Sequence, residues 1–282
     1  LLEKELDRLI AQALAEDLGE TGDLTSNATI GENAKTTATV FARQSGVVAG
    51  LDVARRVFHH VDGEILFEAR VEDGASVSGG DKVVSLQGRT RGILTAERTA
   101  LNFLQRLSGI ATLTAEFVRL VRGTKAVILD TRKTTPGLRM LEKEAVRVGG
   151  GQNHRMGLYD MILLKENHIR AAGGIAAAVV RAREHLRSTG RECLIEVEVR
   201  NPGELSEALT CDVDRIMLDN MSLANIREAV ALTAGRTKLE VSGGVNAGRV
   251  AEIAATGVDY ISVGALTHSA KALDLSLLLD NE

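Results

Sequence analysis

The sequence predicts an α/β protein: a mixed α+β first part, to about residue 120, followed by strands and helices that build a parallel sheet. Three observations predict it. Six short apolar runs, at 126–129, 161–164, 194–199, 216–218, 239–241 and 260–263, alternate with amphipathic, helix-like stretches. Strands alternating with helices mean a parallel sheet. From Glu198 to Asp219 to Ser242 to Gly264 the steps are 21, 23 and 22 residues, about one β/α unit each. The runs also stop on residues that chemistry uses: Asp130-Thr131-Arg132-Lys133, Lys165, Glu196 and Glu198, Asp219-Asn220, Ser242-Gly243-Gly244 and Val263-Gly264-Ala265. A barrel collects the C-terminal ends of its strands on one face, and active sites sit there.

The elements follow in order. Leu2, Leu6, Leu9, Ile10, Ala13 and Leu14 fall at helical spacing, so an amphipathic helix opens the chain. Residues 19–25 break it. Residues 36–49 read as a strand, with Thr, Val and Phe in partial alternation, and 54–61 as a helix. Strands at 65–71 and 82–86 flank the turns Asp73-Gly74 and Gly79-Gly80, where glycine punctuates the chain. Residues 91–121 read as a long helix with Leu94, Leu101, Leu104, Leu107, Leu113 and Val118 for its apolar face. No low-complexity linker separates 1–120 from 121–282, so two domains are expected to pack closely, with the C-terminal tail free to return to the first. Six barrel strands are legible; a closed eight-stranded barrel needs two more.

Composition excludes several classes. Aromatics are 2% and Trp is absent, which argues against binding single-stranded nucleic acid by base stacking. A net charge of −4 gives no general attraction to nucleic acid or anionic membranes, so an anion must meet a local basic cluster. Cys193 and Cys211 form neither a disulfide framework nor a CxxC site and are expected to be free thiols in a reducing, cytoplasmic compartment. No apolar run approaches the ~20 residues of a membrane helix. Residues 1–20 are charged and acidic, unlike a signal or transit peptide. The chain does not open on Met, so trimming at that end is expected.

The last two strand–glycine turns, Ser242-Gly243-Gly244 and Val263-Gly264-Ala265, are where many barrels bind a phosphate through backbone N–H groups. Glu196 and Glu198 lie two apart on one strand and share a face; Asp219 ends the next. These carboxylates suit Mg²⁺, ribose hydroxyls, or pairing with Lys and Arg. Opposite them stands a basic cluster of Arg132, Lys133, His154, Arg155 and Lys165, which implies a substrate with several negative charges. His168 and His268 are within reach of the same face. No Ser-His-Asp order, HExxH, P-loop or GxGxxG context is present.

Together Leu129-Asp130-Thr131-Arg132-Lys133-Thr134, Gly149-Gly150-Gly151 with Asn153-His154-Arg155, Leu164-Lys165-Glu166-Asn167-His168, Glu196-Val197-Glu198-Val199, Leu218-Asp219-Asn220 and Ser242-Gly243-Gly244 resemble quinolinate phosphoribosyltransferase. The upstream Thr95-Ala96-Glu97-Arg98-Thr99-Ala100-Leu101-Asn102 and Leu107-Ser108-Gly109-Ile110-Ala111 fit the same family. The resemblance implies an N-terminal α/β sandwich and an incomplete, seven-stranded TIM-like barrel. It implies transfer of phosphoribosyl from phosphoribosyl pyrophosphate to quinolinate with decarboxylation, giving nicotinate mononucleotide for NAD synthesis, with Mg²⁺. It places Arg98, Arg132, His154, Arg155 and Lys165 on quinolinate, Arg98 coming from the partner of a homodimer or higher oligomer, and counts Thr131 among the substrate-binding residues. Lys133 is implied at the pyrophosphate. Glu198 and Asp219 are implied at the ribose and metal, directly or through water. Ser242, Gly243, Gly244, Val263, Gly264, Ala265 and His268 are implied at the 5′-phosphate. Rival readings are a molybdenum-transport-associated paralogue, another phosphate-binding barrel enzyme, and a silent scaffold. The intact set of charged strand ends favours the enzyme.

Overall fold

In the computed structural model, which describes residues 2–280, α1 (Leu2–Leu18) buries Ile10 and Leu14 as its spacing requires. The side chain of Leu2, part of that spacing, lies outside what is described. Asp23 accepts from Ser26 N at 2.9 Å and caps α2 (Leu24–Thr29), so the expected break carries a short helix. The strand expected at 36–49 is divided. β1 (Lys35–Ala42) and β2 (Gly46–Val47) take different partners, after a register shift between Val40 and Phe41. Then come α3 (Leu51–Val61), β3 (Leu66–Ala69), β4 (Ser76–Val77), β5 (Lys82–Arg89) and the long α4 (Thr90–Leu120).

The regular part continues with β6 (Val127–Leu129), α5 (Arg139–Val148), β7 (Ile162–Leu164), α6 (Glu166–Ala172), α7 (Ile175–Thr189) and β8 (Ile195–Val199). After these come α8 (Pro202–Ala208), β9 (Arg215–Asp219), α9 (Leu223–Thr233), β10 (Lys238–Ser242), α10 (Ala247–Ala254), β11 (Tyr260–Ser262), α11 (Ala265–His268) and β12 (Leu275–Leu279).

Two compact units result. The first takes Leu1–Leu113, Pro136–Gly149 and Ala270–Glu282; the second takes Thr114–Thr135 and Gly150–Ser269. A division at residue 120 leaves α5 on the other side, and contacts of α4 tie both α5 and the returning C-terminal segment to the first unit. In the first unit Arg106 of α4 reaches the fully buried Glu142 of α5 at 2.8 Å and the carbonyl of Ala270 at 3.3 Å. Gln105 Nε2 donates to Leu275 O at 2.7 Å. Gly109 of α4 lies against the Lys271 carbonyl, where a Cβ would overlap it. The unit's sheet is antiparallel, in the order β12-β1-β5-β3, so the chain's last strand pairs beside its first.

The second unit holds a parallel sheet in the order β6-β11-β10-β9-β8-β7. On the free side of β6, Leu129 makes a single parallel bridge to Gln152; six strands pair in this sheet among the described residues, against the seven that the resemblance implies. Ile195 of β8 packs with Ala182 and Leu186 of α7. Alternation then turns Glu196 and Glu198 to the opposite face.

Candidate active site

A cleft of about 470 Å³ opens in the second unit. Its lining combines Thr131, Arg132, Lys133, Arg155 and Lys165 with Asp219, Asn220 and Ser242-Gly243-Gly244; His154, Leu163, Met217 and Ser262 also line it. Strands β6, β7, β9 and β10 thus deliver the predicted residues to one place.

Asp130 explains how separate segments meet. It is fully buried directly after β6, and accepts from His154 N at 2.9 Å and from Asn153 Nδ2 at 2.6 Å. That carboxylate holds the Asn153–Arg155 loop to the strand that presents Arg132 and Lys133. Arg155 Nη1 donates to Met161 O at 3.1 Å. Its guanidinium is held below its ordinary value by burial and then by repulsion from Arg132. Two cations facing one gap favour an anion there.

Lys165 Nζ donates to Glu198 Oε2 at 2.6 Å, so Glu198 reaches the cleft through its partner. Asp219 Oδ2 accepts from Asn220 Nδ2 at 2.9 Å. Val263, Gly264, Ala265 and His268 are not in the lining, but Lys133 joins them to it. A Cβ at Gly264 would stand 3.1 Å from Lys133 Cδ and 3.2 Å from His268 Nε2. Thr267 Oγ1 donates to Lys133 O at 2.7 Å. His168 is used locally: its Nδ1 accepts from Lys165 N at 3.1 Å and caps α6. Arg98 is exposed on α4 in the other unit and lines no part of this cleft.

Beneath the cationic residues lies a layer in which Glu240 and Arg215, absent from the sequence-based expectation, join His154 and Glu196. His154 Nε2 stands 3.1 Å from Glu196 Oε2 and 3.4 Å from Glu240 Oε1. Glu240 Oε2 accepts from Arg215 Nη1 at 2.8 Å, and the Arg215 guanidinium lies 4.0 Å from the Tyr260 ring centroid. Both carboxylates are fully buried. Burial works against charge on His154, and the two carboxylates override it and pull its proton affinity up. Burial and then Glu240 push the Glu196 carboxyl up to about 7. Burial would also raise Glu240, but His154 and Arg215 hold it below the usual range.

His154, Glu196 and Glu240 are close enough to one another to hold a metal ion, but the tautomer opposes it. Arg155 N donates to His154 Nδ1 at 2.8 Å, so the ring proton is at Nε2, which offers a donor rather than a lone pair. A second proton at Nδ1 would meet the Arg155 N–H head-on. Both ring nitrogens face protein atoms, whereas the resemblance gives this ring to a substrate carboxylate. By contrast, Glu198 and Asp219 offer carboxylate oxygens from neighbouring strands beside the cleft, the donor chemistry that Mg²⁺ takes. Glu240 was legible by the argument used for Glu196 and Glu198: in Leu239-Glu240-Val241 the charged residue alternates with apolar neighbours.

A second cavity, about 350 Å³, lies in the first unit around Arg106, Phe103 and Leu107 and contains no predicted site residue. No helix among the described residues is long and apolar enough to cross a membrane.

Residues 110–278 match the family model described as quinolinate phosphoribosyl transferase, C-terminal domain, and 23–108 match that of the N-terminal domain. The chain is 44% identical over 293 residues to quinolinate phosphoribosyltransferase [decarboxylating] 1b of Nicotiana tabacum, covering 99% of this chain and 83% of that protein. It is 43% identical to a probable nicotinate-nucleotide pyrophosphorylase [carboxylating] of Bacillus subtilis, covering 99% and 95%. A solved nicotinate-nucleotide pyrophosphorylase from Francisella tularensis superposes with a TM-score of 0.94 at 44% identity, covering 99% of this chain and 98% of the other.

Proposed function

Since the chain belongs to the quinolinate phosphoribosyltransferase family, we propose that its cleft joins quinolinate to phosphoribosyl pyrophosphate, giving nicotinate mononucleotide, pyrophosphate and CO₂ for NAD biosynthesis. One observation supports this above others: a cluster of cations and the carboxylate–glycine strand ends share one cleft. A dicarboxylate and a phosphosugar need those two halves.

Arg132, Arg155 and Lys165 fix the quinolinate carboxylates; His154, whose ring nitrogens are taken up by protein atoms, holds the Arg155 backbone beside them, and Thr131 lines the same cleft. Fixed orientation matters because the ring nitrogen is a weak nucleophile. Loss of pyrophosphate leaves positive charge on the ribose carbon, which Glu198 and Asp219 stabilise. Lys133 meets the leaving pyrophosphate. Ser242-Gly243-Gly244 seats the 5′-phosphate, with Val263-Gly264-Ala265 and His268 behind Lys133. After N-ribosylation the ring nitrogen is cationic and stabilises the carbanion left as CO₂ departs. Mg²⁺ would be held by Glu198 and Asp219, directly or through water, and neutralises pyrophosphate charge when bound.

The working form in this proposal is a homodimer in which Arg98 serves the partner's cleft. We place the reaction in the cytoplasm. Two free, half-buried cysteines, Cys193 and Cys211, support a reducing compartment. Several plant relatives are named mitochondrial or chloroplastic.

The test is incubation with quinolinate, phosphoribosyl pyrophosphate and Mg²⁺, followed by assay for nicotinate mononucleotide and CO₂. Nicotinate should be a poor substrate, because a missing carboxylate leaves cations unpaired at about 1–3 kcal/mol or more. Equal turnover of nicotinate excludes the proposal.

A further inference from the structure

Asn220 has a backbone that an L-residue adopts reluctantly. Its φ is 54°, and Ala234 is the other non-glycine with positive φ among the described residues. Ala234 has an ordinary reason, since it ends α9 in the left-handed conformation that closes helices. Asn220 ends a strand, where no such reason applies. Strain of this kind persists only where surrounding structure holds it, and it gathers at functional sites.

Three contacts hold it. The backbone N–H donates to Ser242 O at 2.9 Å. The side-chain Nδ2 donates to Asp219 Oδ2 at 2.9 Å. The reverse amide orientation would set oxygen against carboxylate, so the donor assignment follows from charge. On its other side the amide fills the space a side chain would take at Gly243. A Cβ there would overlap Asn220 Oδ1, Cγ and Nδ2, and Gly243 itself has φ of 88°. One residue therefore touches the carboxylate that ends β9 and the glycine turn that follows β10.

We infer that Asn220 is a positioning residue that locks the Asp219 carboxylate to the Ser242–Gly244 turn, so that the ribose and the 5′-phosphate of one donor molecule meet a single rigid unit. The inference rests on the proposed phosphoribosyl transfer. A residue fixed in this conformation pre-organises the donor half of the cleft and leaves the dicarboxylate half alone. The left-handed backbone aims the amide at both neighbours at once; Asn and Gly tolerate that conformation, and other residues strain it.

The test compares Asn220→Gly, which keeps the backbone and removes the amide, with Asn220→Asp, which keeps size and left-handed tolerance but sets a carboxylate against Asp219. The parent is assayed first; absence of product there refutes the transferase reading and leaves Asn220 out of account. Given an active parent, both variants should raise KM for phosphoribosyl pyrophosphate about tenfold or more, keep KM for quinolinate within about twofold, and melt close to the parent. Asn220→Asp should be the harsher. Gly243→Ala should lose less activity in the Asn220→Gly background than in the parent, because the colliding amide is gone. A parental donor KM in Asn220→Asp overturns the inference. So does a loss falling equally on both substrates, or a lowered melting temperature with both KM values unchanged.

Discussion

The Lys165 ammonium and the Glu198 carboxylate stand 2.6 Å apart, with the lysine side chain 48% exposed and the glutamate 11%. Each is placed by a strand end, Lys165 directly after β7 and Glu198 within β8. They satisfy each other at the edge of the cleft, yet the proposed chemistry assigns one to quinolinate and the other to the ribose. In the proposed reaction the substrates would separate these two opposite charges.

Lys165→Ala and Glu198→Ala should each lower kcat/KM by about 100-fold or more, roughly 2.7 kcal/mol of lost transition-state stabilisation. Glu198→Ala should change stability by no more than about 1 kcal/mol, since the Lys165 ammonium it leaves is half-exposed and stays hydrated; Lys165→Ala, which leaves the more buried carboxylate unpaired, should cost more. Steady-state kinetics beside thermal melts check both halves. An early melt with parental activity per folded molecule would mean that the pair is structural.

Arg98→Ala and Lys165→Ala should each be nearly inactive alone. If Arg98 serves the partner's cleft, a heterodimer of the two variants carries both defects in one site and neither in the other. Mixing with subunit exchange should restore up to about half the parent activity per heterodimer, by two-fold symmetry. No recovery, with exchange confirmed by mass, would assign Arg98 to its own chain or to no site.

Glu240→Ala should destabilise the protein by about 3–5 kcal/mol, because Arg215 loses its buried partner and His154 one of its two carboxylates. Urea denaturation measures it. Glu240→Gln, which keeps hydrogen-bonding capacity, should be the milder variant. Parental stability in Glu240→Ala would show that the cluster's charge balance lies elsewhere.

Asp259 links stability to acid. Its carboxylate accepts from Leu239 N at 3.0 Å, Lys238 Nζ at 3.0 Å and Lys125 Nζ at 3.1 Å. Burial pushes its pKa up, and these donors outweigh it and hold the group below 3.8. A folded-state pKa below the unfolded one means that the unfolded chain binds more protons between the two values, so stability falls as pH falls. Asp259→Asn should therefore melt earlier than the parent at neutral pH, by about 1 kcal/mol or more. The gap should narrow below about pH 4, as the parent carboxylate takes up its proton. A gap that stays constant from neutral pH to pH 3 would dismiss Asp259 as a source of acid sensitivity.

Strand ends were the most legible part of this protein. Apolar runs in a parallel sheet are buried on both faces and stop where the chain meets solvent, so Lys165, Asp219 and Ser242 were visible from pattern alone. Elements with little burial were not. α6 has no buried residue, so no periodicity marks it. The Gln152 rung is one residue long. β12 reads Leu-Ser-Leu-Leu-Leu, and its partner β1 lies far away in the sequence. His154 was placed in the right cleft, but ring orientation depends on Glu196, Glu240 and the Arg155 amide, which only the folded chain brings together.

The pairing of β12 with β1 also bears on how the chain is made. Thr39 bonds Asp280 across a separation of 241 residues. During synthesis, domains generally fold as they emerge, amino-terminal first. Here the order is inverted. The parallel-sheet unit has all its chain once Ser269 is out, while the first-made sheet keeps an open edge at β1 until β12 leaves the ribosome. Until then that edge is an unpaired template of the kind that invites wrong partners. Leu275–Leu279 is the segment that closes it.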